Sequence, residues 1–325
     1  MPEANSLDIT TAYVGEGAFP YIKAGILSAN TIANGYITTL EGVKKALYLQ
    51  KVDGGDIQAF ACDFTAVEDD ITLTEAVLTP TKLMRNIQLC KADFRDTWAA
   101  TRTGNGFAND IVPAEFRQFL LLYLAEKVAE GIEANIWRGD FNSDTGATTG
   151  GTAVTNFNGI LAKVVVGTAS MGYDNTYVGL MTGDANATTG VITLLNELVA
   201  NIPDSIQGDE DTVIYMSRKT LFLLHQALAS IGVAGGYAPQ ASMPRPTEYM
   251  GFDLVVPSGF PNDTLLAGKT SNLYFGTDLT SDFNQATVVD MTKTDASDNV
   301  RLRMQFTGGT QIGFLGDLAC IRRSA

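Results

Sequence analysis

The sequence holds a single histidine, His225. A Ser-His-Asp relay or a histidine-based metal site therefore has almost nothing to be built from. His225 sits among Leu221, Phe222, Leu224 and Leu228, which marks it as a packed or edge side chain rather than a catalytic one. Cysteine is also sparse. Cys62, Cys90 and Cys320 are scattered, odd in number and without a CxxC pair. This argues against a disulfide framework or a zinc site and fits a reducing compartment. Positive charge is in deficit: 22 Lys and Arg stand against 36 Asp and Glu, a net charge of −14. No basic patch is visible, so gripping nucleic acid by its phosphates is disfavoured, as is adhesion to an anionic membrane. The start, MPEANSLDITTAYVGEG, has neither a basic leader nor an apolar core, so no signal peptide is expected. The densest apolar run, FLLLYLA, is far too short to span a bilayer. Together these absences predict a soluble cytoplasmic protein.

Apolar residues are plentiful, at 45% of 325, enough for a sizeable core and for two lobes rather than one. The longest unbroken period runs from Pro113 to Gly139. Phe116, Leu120, Leu124, Val128, Ile132 and Ile136 recur every fourth residue, and Phe119 and Tyr123 widen the stripe. That spacing predicts a helix of roughly 40 Å, at about 1.5 Å per residue. Pro113 suits its first position and Gly139 its end. Gly131 lies inside it at a cost of about 1 kcal/mol relative to alanine, so packing is expected to hold that position. The segment is read as a spine along which other elements pack.

Residues 1–42 are small, polar and glycine-spaced, and read as an arm lying on its own body or on a neighbour. Residues 45–64, KALYLQKVDGGDIQAFACDF, read as a hairpin. Its turn falls at Asp53, Gly54, Gly55 and Asp56, and Phe60, Cys62 and Phe64 alternate on the return strand. Such a ribbon is marginal in water and needs a partner surface. The acidic cluster Glu68, Asp69, Asp70 follows. Residues 82–94 suggest a strand. Residues 140–159 and 232–247 read as surface loops. Val191 to Ile202 is a predicted helix, and Asp211 to Ser217 a short buried strand. Ser217 is placed to cap the helix that follows. Toward the C-terminus come short strands, of which NVRLRMQF alternates most cleanly. Val300, Leu302, Met304 and Phe306 face one way, while Arg301, Arg303 and Gln305 face the other. The expected fold class is α+β.

Two motif fragments fail on inspection. Gly268-Lys269-Thr270 ends like a phosphate-binding loop, but Asp263 stands where that loop requires glycine. Asp140, Asn142 and Asp144 open like a calcium loop, but Thr145 and Gly151 occupy its glycine and bidentate-acid positions. No catalytic, cofactor or metal residue is assigned.

In order along the chain, TLTEAVLTPTKLMRNIQLCKADF, EKVAEGIEANIWRGDFNSDTG with the strand start FNGIL, TVIYMSRKTLFLL, and YMGFDLVVPSGFPNDTLLAGKTSNLYFGT resemble one family. This is the family of major capsid proteins of tailed double-stranded DNA bacteriophages, whose fold is named after phage Hong Kong 97. The resemblance covers most of the chain from about residue 43. It implies an N-terminal arm (1–42) and an extended loop (43–83). It also implies a peripheral domain (84–156 and 251–325, with the spine helix at about 113–139) and an axial domain (157–250). It further implies an icosahedral shell of hexamers and pentamers that encloses DNA without sequence-specific binding, assembled in the host cytoplasm and ending in the virion. Scaffolding would be a separate protein or absent, and portal and decoration proteins are further expected partners. No covalent crosslink is expected. Inter-subunit contacts are expected at Asp53, Gly54, Gly55, Asp56, Glu68, Asp69, Asp70, Arg301 and Arg303. A bacterial nanocompartment shell is the sister reading. An acidic hydrolase or sugar-binding protein with a Thr/Gly-rich β domain is the reading from a different class.

Overall fold

The computed structural model describes residues 30–54, 62, 71–90, 114–139, 156–167, 171–177, 187–234, 247–262, 264–278, 286–291, 294 and 296–323. The chain opens with β1 (Thr38–Leu40), β2 (Leu47–Gly54), β3 (Ile71–Leu78), β4 (Thr81–Cys90) and helix α1 (Ala114–Arg138). Then come α2 (Ile160–Val166), β5 (Tyr173–Tyr177), α3 (Ala187–Ala200), α4 (Asp204–Gln207), β6 (Thr212–Met216) and α5 (Arg218–Ala234). The remainder is β7 (Glu248–Tyr249), β8 (Phe252–Val255), β9 (Thr264–Lys269), β10 (Leu273–Gly276), β11 (Ala286–Asp290), β12 (Asn299–Ile312) and β13 (Leu318–Arg323).

Helix α1 is the predicted spine. Leu120, Leu124, Val128, Ile132 and Ile136 are all buried, so the four-residue step defines the face that packs. Trp137 is fully enclosed, with its ring centroid 5.2 Å from that of Tyr215 and 5.1 Å from that of Phe260. The helix ends where two stretches of backbone touch. The Gly139 N–H donates to the Asn135 carbonyl at 2.9 Å, and the Gly159 N–H to the Gly139 carbonyl at 2.6 Å. A Cβ on Gly139 would lie 2.1 Å from the Phe157 carbonyl oxygen, so a side chain cannot enter this crossing. Gly131 departs from expectation. A Cβ there would meet nothing within 4 Å, so none of the described residues requires glycine at that position. The expected strand at Ile160 is also overturned. Ile160–Val166 is helical, entered from an extended Gly159, and it seals the end of the spine with Ile160, Leu161 and Val164.

Two sheets flank the spine. In the first, β12 pairs antiparallel with β4 on one side and with β11 on the other, and its C-terminal end pairs with β10. The second has strand order β5-β13-β9-β6-β8-β7. Its central strand β6 is buried at every residue, as a strand covered on both faces must be. Alternation sends Val213, Tyr215, Leu266, Leu318 and Cys320 into the core beneath α1. It sends Ile214, Met216, Leu265, Ala267, Ala319 and Ile321 into a second core roofed by α3, α4 and α5. Ser217 caps α5 as predicted, accepting from the Thr220 N–H at 3.1 Å.

The segment from Asn30 lies on the chain's own body and is tied to the spine by a buried acid. Glu133 and Thr31 are both fully enclosed. The carboxylate accepts from the Thr31 N–H at 3.1 Å, from the Thr31 hydroxyl, and from the Gly259 N–H at 3.3 Å. The Trp137 indole N–H donates to the same hydroxyl at 2.8 Å. A buried carboxylate is tolerable only when its lone pairs are occupied in this way. Thr31→Val removes a donor to Glu133 and the acceptor for Trp137 together. A loss of about 2–4 kcal/mol is expected in urea unfolding, and a loss near zero would show that this network does not hold the segment.

Candidate functional site

Strands β2 and β3 form a two-stranded ribbon, paired from Leu47 opposite Leu78 to Gly54 opposite Ile71. The return strand is thus Ile71–Leu78, and Asp53 and Gly54 continue β2 instead of forming a turn. The predicted return strand, Phe60 to Phe64, lies outside the described residues apart from the exposed Cys62. The physical reason is pairing quality. The observed register sets Tyr48 beside Val77 and Val52 beside Leu73, aromatic and branched cross-strand pairs over eight positions.

Residues opposite one another share a face. The outward face carries Tyr48, Val77, Val52, Leu73 and Ile71, interrupted by Gln50 and Glu75, whose side chains hydrogen-bond at 3.3 Å. Tyr48 is 61% exposed, Val52 63%, Leu73 67% and Ile71 70%, so the subunit leaves this stripe in water. Exposed apolar side chains grouped on one face of a ribbon make this face a candidate interaction surface.

The inward face is seated. Leu78 is fully buried at the root of the ribbon. It lies over Gly276, where a Cβ would come within 2.6 Å of its Cδ2. Gly276 is registered opposite Gly309 across β10 and β12, and a Cβ on Gly309 would lie 2.8 Å from the Thr79 carbonyl oxygen. Two facing glycines therefore cut a notch in the sheet, and the β3–β4 connection drops into it. Further out, the Lys51 ammonium stands 3.1 Å above the Phe314 ring and 3.4 Å from Asp317 Oδ2.

A second surface is the outer face of β4, β12 and β11. Val300, Leu302 and Met304 are buried while Arg301, Arg303 and Gln305 are exposed, in the predicted alternation. The Arg301 Nε–H donates to Gln88 Oε1 at 2.9 Å, and Arg303 is registered with Asn86 and Thr287. The structure brings Arg301 and Arg303 together and sets Asp53 and Gly54 at the outer end of β2. Gly55, Asp56, Glu68, Asp69 and Asp70 lie outside the described residues. Reading the sequence missed the outward stripe because it paired β2 with the wrong partner. The signal was present in ITLTEAVL, where Ile71, Leu73 and Val77 fall on one face.

Chemistry elsewhere is sparse. Cys320 is buried, and burial pushes its thiol well above the usual range, which makes it a poor nucleophile. Lys269, from the phosphate-loop fragment, pairs with Asp209 and leads into the 3-10 turn Thr270–Asn272. His225 is half-buried on α5. Among the described residues no cluster could hold a metal ion, and no helix is long and apolar enough to cross a membrane.

Gly276→Ala would force Leu78 out of its notch. A loss of about 1–3 kcal/mol is expected in denaturant titration, as for other overpacked sites, with faster proteolysis of the ribbon. Unchanged stability would show that the notch is not what holds the root.

No protein-family model matches the chain, and no curated protein does. Solved structures do. The chain is similar to the capsid of an empty GTA particle, at 14% identity and a TM-score of 0.58, with 96% of each chain covered. It is similar to a chain of Mycobacterium phage Ogopogo at 12% identity and a TM-score of 0.56, covering 94% of this chain and 95% of that one. It is similar to the capsid of cyanophage P-SCSP1u at 11% identity and a TM-score of 0.53, covering 98% and 94%. At these identities the likeness is one of fold, and it spans nearly the whole chain: an α+β fold shared with phage capsid structures.

Proposed function

We propose that this chain is a major capsid protein, a structural subunit that joins copies of itself into the hexamers and pentamers of an icosahedral shell around phage double-stranded DNA. One observation carries the reading beyond fold: the outward face of the β2–β3 ribbon is apolar, exposed and without cover in the lone subunit. A neighbouring copy is the natural cover, because a closed symmetric assembly repeats one modest contact many times. In this reading the ribbon belongs to the extended loop (43–83), α1 and strands β8 to β13 to the peripheral domain (84–156 and 251–325), and the elements from α2 to β7 to the axial domain (157–250). Arg301 and Arg303 supply a second, polar contact between copies. An acidic wall suits a container whose DNA must enter and leave, since a basic lining would hold phosphates at many points. A separate scaffolding protein, a portal and decoration proteins complete the expected partners, and the virion is the final location. The reading gives the chain no catalytic step. The fold likeness does not favour the acidic hydrolase or sugar-binding alternative.

Electron microscopy of the expressed protein tests the reading directly, with closed particles as the expected result and only monodisperse monomers as the refuting one. Two variants test the surfaces. Val52→Lys combined with Leu73→Glu should abolish particles while leaving subunit stability within about 1 kcal/mol, because both side chains already face water and an opposite-charge pair replaces the apolar one across the strands. Normal particles from that variant would remove the ribbon from the interface. Arg301→Glu combined with Arg303→Glu should weaken association in sedimentation more than it lowers the unfolding midpoint. Equal losses would mean that these arginines serve the fold.

A further inference from the structure

We infer that Lys51 is a positioning residue: a latch that fixes the angle at which the β2–β3 ribbon leaves the body, and through it the curvature with which copies join. The inference rests on the shell reading and names a residue that the reading itself does not use. A ribbon held only at its root pivots about that root. The root here is Leu78 in the glycine notch. Lys51 lies four residues beyond Leu47 on the inward face, a lever arm of about 13 Å at roughly 3.3 Å per residue. Its ammonium is held from two directions, by the Phe314 ring at 3.1 Å and by Asp317 Oδ2 at 3.4 Å. The other carboxylate oxygen, Asp317 Oδ1, accepts from the Ser205 hydroxyl at 3.1 Å. Asp317 ends the 3-10 turn Leu315–Asp317 immediately before β13, and Ser205 lies on α4. The latch thus references the ribbon to the sheet that joins the two cores, and not merely to the strand beneath it.

The magnitudes suit a device that sets an angle without freezing it. The Lys51 side chain is one-third exposed, at 33%, so its ion pair is screened and breakable. The far end of the ribbon lies about 23 Å from Leu47, so a pivot of ~10° would carry it ~4 Å. That shift is large compared with the tolerance of a packed interface. A shell needs more than one local curvature, which a breakable latch allows and a rigid weld would forbid.

Three variants in the full chain test this: Lys51→Met, which keeps the stem and removes the cation; Lys51→Arg, which keeps the cation; and Asp317→Asn. The first readout is particle diameter by electron microscopy. The second is the distance distribution between spin labels at Thr74 and Gln207 in the dissociated subunit, with Cys62 and Cys90 replaced. Lys51→Met and Asp317→Asn should broaden both distributions at an unchanged unfolding midpoint. Lys51→Arg should restore both, and added salt should broaden the wild-type label distances. Wild-type diameters and label distances in Lys51→Met would overturn the latch. If no variant, wild type included, forms particles, the shell reading fails, and the label distances alone still decide whether Lys51 sets the angle.

Discussion

A two-stranded ribbon has two faces, and this subunit pins one of them, at Leu78 and at Lys51. The inward face is satisfied by Leu78 in its notch and by Lys51 against Phe314 and Asp317. The outward face carries Tyr48, Val52, Ile71, Leu73 and Val77 into solvent. Such a ribbon would be marginal if detached. The body therefore holds it by one face and leaves the other in water.

The body is built to do that holding. Glu133 draws the segment at Thr31 and the loop at Gly259 toward one buried carboxylate, and the Trp137 indole at the end of the spine donates to the Thr31 hydroxyl. Thr31 and Glu133 are 102 residues apart in sequence, so this contact closes a long loop of chain onto the helix. The Arg322–Asp174 ion pair, at 2.8 Å with both side chains largely enclosed, fastens β13 to its parallel neighbour β5. Tyr173 and Asn175 from β5 both donate to Glu197 on α3, joining that edge to the outer helices. Burial and the Glu197 contact push the Tyr173 hydroxyl up to about 12, so it stays a donor throughout the physiological range.

What was legible in the sequence was periodicity. The α1 stripe, the alternation of β12, the unbroken apolar run of β6 and the Ser217 cap each depend on residues close in sequence. Two expectations failed where local chemistry pointed the wrong way. Asp53-Gly54-Gly55-Asp56 has the composition of a turn, yet the longer pairing with Ile71–Leu78 extends the strand through Asp53 and Gly54. Gly159 before two aliphatic residues looks like a strand start, yet it opens α2. The features that matter most for the site were beyond reach for another reason. The Gly276–Gly309 notch and the Lys51 contacts join residues far apart in the chain, and no local pattern announces which glycine faces which leucine.

The six-stranded sheet is shared wall to wall by the two cores, because its odd and even side chains belong to different sides. The outer helices cannot swing relative to the spine without dragging β6, β9 and β13 out of both packings at once. Among the described residues, a deformation therefore meets least resistance at the slender ribbon, which touches the body at its root and at Lys51, rather than at a seam between the two cores.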